Sequence, residues 1–348
     1  MKELWFFLWI ALLQIPPSPA ASEPIKLRFT LQVSVTDLLM GAPVGRFKEE
    51  VERETGKAIT IEIFDNSKLY IDDQVVGAVQ SGAIEMGLAG LNQINRVLAA
   101  ASFMEQPFLF NFDGLTRAAT SPESEPRKLL DDAILRTMGL RVLWWESTGP
   151  QVIFTKDGDA RNPISIKTKR IRTFSATASN FARDCGGVPV VVSTSKLQQA
   201  LEDGTIDMAM MSAGGVHTRD LWKFTTAITR TDHAAVEFVV VIDERVWQTL
   251  SDKHQRILVQ AARRVERDAR ERSSQLNEEA YDFARSKGMK TYELSTDEVA
   301  EWRACSSNVL VDFMEKGGTL TQLLMNAYGR LRTDPCCSAG PQGDKKGR

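Results

Sequence analysis

Three histidines and four cysteines leave this chain of 348 residues little material for a metal centre. His217, His233 and His254 show no ligand spacing. No Gly-x-Ser-x-Gly elbow is present, so the commonest signature of a secreted serine hydrolase is missing. Neither sign of charge prevails. Acidic residues number 45 and basic residues 43, which excludes the one-signed field that draws proteins to nucleic acid or acidic membranes. Past the first 21 residues no apolar run approaches the ~20 residues of a spanning helix.

The N-terminus says where the protein works. Met1-Lys2 precedes an apolar run, Leu4–Leu13, then Pro16-Pro17 and the small residues Ser18–Ala21. That order predicts a secretory signal peptide over residues 1–21, cleaved after Ala20 or Ala21, and a periplasmic mature protein. No cysteine lies near the cleavage site to carry a lipid anchor. Cys185 falls in an apolar helix and Cys305 in an amphipathic one, and both are expected as buried thiols. Cys336 and Cys337 sit in a Pro/Gly/Lys tail, residues 333–348, expected to be disordered. Vicinal cysteines rarely bond each other, and no partner is selected by the sequence.

The rest alternates strand and helix. Ile25–Val33 sets Ile25, Leu27, Phe29 and Leu31 against Lys26, Arg28, Thr30 and Gln32, a period of two. Helix 42–55, strand 59–64, helix 72–81 and strand 84–89 follow, then a buried Pro107–Phe110 segment, helices 113–120 and 127–138, and strand 140–146. Residues 166–207 are the most informative. A strand carrying Lys169, Arg170 and Arg172 leads to a helix, a strand over Val188–Val190, a helix capped by Ser195, and a Gly204-x-x-Asp207 turn. Arg172 stands where strand passes to helix N-terminus, the place where α/β sheets bind anions. Its planar fork suits a carboxylate. Strands 208–211 and 234–242 flank a short helical piece at 220–224. One unbroken helical pattern then runs from a Ser251 cap to a Gly288 stop, ~55 Å at 1.5 Å per residue. Helices 298–317 and 320–331 close the chain.

These segments resemble the extracytoplasmic solute receptors of tripartite ATP-independent periplasmic (TRAP) transporters, of the dicarboxylate-binding-protein type. Phe47–Gly56 with Ile59–Phe64 match the first helix and second strand of that family. Val79–Met86, Pro107–Phe110, Lys169–Arg172 and Leu201–Asp207 match four further motifs, in order and at family spacing, over residues 25–330.

The resemblance implies an α/β fold of two lobes with a ligand cleft between them and a long helix spanning both. One lobe would comprise residues 22–147 and 233–274, the other residues 148–232 and 275–332. Hinges would lie near Glu146–Gly149 and Thr231–Ala234. It implies a monomeric receptor without cofactor, metal or catalysis, which captures a small organic acid and delivers it to a membrane permease. A ligand sensor coupled to a membrane receptor, or a secreted enzyme, are the alternatives.

Arg172 aligns with the family's carboxylate-binding arginine, and Gln32 with a ligand-contacting asparagine. The chain departs from the pattern elsewhere. Gln151 stands for a second arginine, Met211 for an asparagine, Phe174 for a proline, and Phe238 for a residue that is often polar. Trp145 and Trp222 are further apolar candidates, and Lys68 a distant cation that would change the balance. One positive fork amid apolar surfaces implies a monocarboxylate with an apolar or aromatic body.

Overall fold

The computed structural model describes residues 23–110 and 113–334. The leader, residues 335–348 of the tail and both tail cysteines therefore lie outside the described residues, while Thr333, expected in the disordered tail, ends the helix Gly318–Thr333. Ten strands form one connected sheet: β1 (Ile25–Thr30), β2 (Ile59–Phe64), β3 (Met86–Gly90), β4 (Leu140–Thr155), β5 (Arg170–Thr173), β6 (Val188–Val191), β7 (Met208–Ser212), β8 (Ala227–Arg230), β9 (Ala235–Asp243) and β10 (Lys290–Glu293). Their order is β2-β1-β3-β9-β4-β7-β5-β6, with β8 beside β4 and β10 beside β8. Parallel pairs build each end, β2-β1-β3 and β7-β5-β6. Antiparallel β9 and β4 join them. All of β3 is buried, as its unbroken apolar run requires of a strand covered on both faces.

β4 makes the two halves one molecule. Leu140–Pro150 pair with β9, and Gln151–Thr155 pair with β7. The sequence predicts a strand ending at Glu146, short of Gly149 and Pro150. The strand instead absorbs both residues in a register shift between Ser147 and Pro150. Gly149 is needed there. Its φ is +90°, and a Cβ would lie 2.2 Å from the Asn277 amide nitrogen.

Asn277 belongs to the long helix Asp252–Ser286, 35 residues, whose Ser251 cap accepts a bond from the His254 N–H. At 1.5 Å per residue it is ~52 Å long. Leu258, Ala261, Ala262 and Val265 pack into the β1–β3 core. Ala280, Tyr281 and Ala284 pack into the β7–β8 core. The helix thus bridges both halves, and no helix of the described residues is long and apolar enough to cross a membrane.

Several boundaries move. The predicted helix 72–81 divides into a 3-10 turn, Asp72–Gln74, and a helix, Val75–Gln80. Helix 298–317 breaks at Ser306, whose buried hydroxyl donates to the Trp302 carbonyl at 2.8 Å. Ser195 is no helix cap: it lies inside a 3-10 turn, Thr194–Lys196, before the helix Leu197–Glu202. β8 and β10 are too short to show a period of two.

The expectation of two buried thiols is corrected. Cys185 and Cys305 form a disulfide across 120 residues of sequence. Cys185 ends the helix Ala176–Asp184 and Cys305 ends Thr296–Cys305. Each helical pattern explained burial by itself, so nothing local announced the pairing. A structural disulfide accords with an oxidising compartment. Closing so long a loop stabilises by roughly 4–5 kcal/mol in the chain-entropy model. A Cys185→Ser, Cys305→Ser double variant is therefore expected to melt well below the parent. A non-reduced digest should show the 185–305 peptide link; recovery of both peptides unlinked would contradict the pairing.

Candidate functional site

A cleft of about 1010 Å³, counting its open mouth, lies between the two halves. Its walls come from the C-terminal ends of β1, β3, β5 and β7 and from the start of β9, the switch region where such sheets bind ligands. Asn92 spans it, donating from its side chain to the Phe174 carbonyl at 3.2 Å. The halves are thus in contact across the cleft.

Arg172 sits on β5 and is only 2 % exposed. Its Nε donates to the Val192 carbonyl at 3.0 Å, one Nη to the Met210 carbonyl at 2.9 Å, and the other to the Thr194 hydroxyl at 3.1 Å. The Phe174 ring centroid lies 4.9 Å from the guanidinium carbon. These bonds fix the fork rigidly and use three of its five N–H donors. No carboxylate of the described residues forms an ion pair with it. Burial pushes its pKa down to about 10, against a distant pull from Asp72, so it remains charged at neutral pH. A buried cation without an anion is costly, and an entering carboxylate offsets that cost.

Five of the predicted site residues line this cleft: Arg172, Gln32, Phe174, Met211 and Phe238. Gln151 and Trp145 do not. Gln151 is turned into a buried network, where its Oε1 accepts from His233 Nε2 at 2.7 Å and His233 Nδ1 meets the Thr231 hydroxyl at 2.7 Å. Phe181 stacks on the imidazole at 4.2 Å. Burial holds that imidazole neutral, down at about 3. Trp145 faces the β1–β3 half, donating to Asp131 at 2.8 Å beneath Arg127. Trp222 packs against Lys223 and Lys287, and Lys68 pairs with Asp65 at 2.6 Å; neither lines the cleft.

Sequence reasoning missed Arg219, which does line it. Its Nε is buried without a hydrogen-bond partner. Burial lowers its pKa, opposed by Asp72 and Asp37. The available signal was position: Arg219 follows the short turn after β7, at the C-terminal edge of the sheet. Asp72, Asp73 and Arg96 were missed as well. Asp73 pairs with Arg96 at 3.0 Å. Among the described residues no group of three His, Cys, Asp or Glu is placed to hold a metal.

Residues 32–317 match the model of the bacterial extracellular solute-binding proteins, family 7. The chain belongs to that family. It is 24% identical over 312 residues to the C4-dicarboxylate-binding periplasmic protein DctP of Rhodobacter capsulatus, spanning 87% of this chain and 90% of that protein. Identity to the Escherichia coli 2,3-diketo-L-gulonate-binding periplasmic protein YiaO is 24% over 75% of this chain and 79% of that one. The fold matches DctP7, a Bordetella pertussis extracytoplasmic solute receptor binding pyroglutamic acid, with a TM-score of 0.82 at 22% identity, over 87% of this chain and 99% of that one. A TRAP solute-binding protein from Shewanella oneidensis with bound succinate gives 0.80 at 20% identity, over 88% and 99%. The chain is thus a TRAP-type solute receptor with the two-lobe fold, in a family that binds small organic acids outside the cytoplasm.

The wall behind the cleft holds a proton. Val236 and Phe238 line the cleft, so strand alternation turns Glu237 to the opposite face. Its burial outweighs the Ser147 hydroxyl and the more distant Arg270, and pushes the carboxyl up to about 8. The unfolded chain releases this proton near pH 4.5, and the folded one near 8. The folded state therefore holds an extra proton between those values, and stability falls as pH rises through that window. Glu237→Gln is expected to raise the melting temperature over the parent by a margin that widens between about pH 5 and pH 8. A margin independent of pH would show that Glu237 ionises normally.

Proposed function

We propose that this receptor captures a small monocarboxylate between its lobes, seats the carboxylate on Arg172, and delivers the closed complex to the permease subunits of a TRAP transporter. The observation that carries this reading is the buried, unpaired guanidinium at the cleft floor. Mature protein would follow removal of residues 1–21, and no catalytic step is assigned.

Charge favours one carboxylate over two. The cleft is lined by Arg96, Arg172 and Arg219 against Asp72 and Asp73, which leaves a single positive charge in excess. Arg96 is already paired with Asp73. A second carboxylate would enter against Asp72, and desolvating it there is costly. The body of the solute would meet Phe174, Met211, Phe238, Val236 and Leu39, all lining residues.

Closure would bring residues 22–147 with 233–274 against residues 148–232 with 275–332. Glu146–Gly149 and Thr231–Ala234 would be the hinges. The irregular register at Ser147–Pro150 supports a bend there, because a bulged ladder resists bending less than a regular one.

Calorimetry with mono- and dicarboxylic acids tests the solute class. A monocarboxylate is expected to bind more tightly than succinate or malate; tight binding of the dicarboxylates alone would contradict the charge argument. Arg172→Ala is expected to lose on the order of 1.5–3 kcal/mol of binding. Arg172→Lys should bind weakly too, because an ammonium has no planar fork. Retained affinity within about twofold in Arg172→Ala would remove the anchor assignment. In solution scattering, saturating solute should lower the radius of gyration, whereas an unchanged profile with confirmed binding would mean a rigid site.

A further inference from the structure

We infer that the solute carries an N–H or O–H donor on its body, and that the amide oxygens of Gln93 and Gln32 read that donor. The inference rests on the reading of Arg172 as the carboxylate seat and narrows its solute class.

Three polar atoms of the cleft-lining side chains are buried without a hydrogen-bond partner: Gln32 Oε1, Gln93 Oε1 and Arg219 Nε. The orientation of each amide is fixed by chemistry. Gln32 Nε2 donates to the Leu88 carbonyl at 2.6 Å, and a carbonyl only accepts. Gln93 Nε2 donates to the Asp73 carboxylate at 3.0 Å, and that carboxylate also takes Arg96. Flipping either amide would set oxygen against oxygen. Both oxygens are therefore true acceptors, on side chains only 8 % and 7 % exposed. Buried acceptors left unpaired are rare in native proteins, because each forfeits its water for nothing.

The three atoms are not scattered. Both acceptors follow strands of the β1–β3 half, with Asp72 and Asp73 beside them. The unpaired donor, Arg219 Nε, stands on the β5–β7 half with Arg172. The wall of Arg172 and Arg219 is cationic; the opposite wall sets the two amide oxygens beside Asp72 and an Asp73–Arg96 ion pair. A solute with a carboxylate at one end and a donor at the other satisfies both walls at once. A purely apolar body would leave both amide oxygens unpaired in the closed cleft. Hydroxy acids, amino acids and lactam acids belong to the class that fits. The same polarity ties closure to the solute, which would add a second link between the walls to the one that Asn92 makes to the Phe174 carbonyl. Gln93 is thereby a specificity-determining residue.

Isothermal titration of the mature protein with matched acids tests this. Pyroglutamate is compared with the lactone acid in which ring oxygen replaces the N–H, and pantoate with 3,3-dimethylbutanoate. The donor-bearing member of a pair that binds is expected to be tighter by at least about tenfold, since sites built to bond a donor reject analogues lacking it. In Gln93→Met, checked for folding by its thermal melt, that ratio should fall toward one. Equal affinity for both members in the parent protein overturns the inference while leaving the carboxylate seat intact. An unchanged ratio in a folded Gln93→Met removes Gln93 from the role. If no acid of either kind binds, the reading of the cleft as a carboxylate site falls, and this inference with it.

Discussion

A positive charge buried without an anion organises this molecule. Arg172 is held by two backbone carbonyls and a hydroxyl, none of which cancels its charge. Desolvating a cation costs several kcal/mol even in a relaxed protein interior. On the function proposed above, an anion entering from outside would offset that cost. The carbonyls of Val192 and Met210 belong to the segments flanking β5, so the three neighbouring chain segments of that half all serve to aim one side chain. The arrangement is pre-organised: the two N–H donors that remain are held in place by the three that are bonded.

The second constraint is that the two halves share β4 and the long helix. A strand that pairs with β9 along one part and β7 along the other joins the halves without a loose linker. The helix adds a rigid strut whose two ends are buried in different cores. The ladder loses its regular register at the crossing near Gly149, where Asn277 of the strut meets the strand. The cleft opens beside that crossing. The buried Glu146, Glu237 and Glu266 cluster at the crossing or on the strut that covers it. Glu237 and Glu146 are both pushed up by burial, which disfavours their charged forms.

Much of this was legible in the chain. The period-two runs, the Gly-x-x-Asp turn and the unbroken pattern after Ser251 are local signals and place the strut and most strands, though not β8, β10 or the second half of β4. Arg172 was legible because strand-to-helix handover is also local. The failures share a cause. Gln151 was placed by alignment with a family pattern and Trp145 as a further apolar candidate, and which face of β4 each takes depends on register shifts that sequence does not display. Once the register shifts at Ser147–Pro150, Gln151 faces His233 and not the cleft. Arg219 lay in a short turn with no periodicity, and its importance comes only from the sheet edge beside it. The Cys185–Cys305 bond joins two helices that each looked complete. The apolar residues Phe174, Met211 and Phe238 were found, yet the unpaired amide oxygens that accompany them depend on partners 56 and 20 residues away in sequence.

The central claim is that an organic acid docks its carboxylate on Arg172. A crystal structure of the receptor with a bound acid, identified by mass spectrometry of the released solute, tests it most directly. The account predicts a carboxylate in bidentate contact with Arg172, both oxygens within hydrogen-bond distance of its free N–H groups, with the body of the acid lying toward Gln93. A bound acid whose carboxylate sits on Arg219 or Arg96 with Arg172 untouched would contradict it.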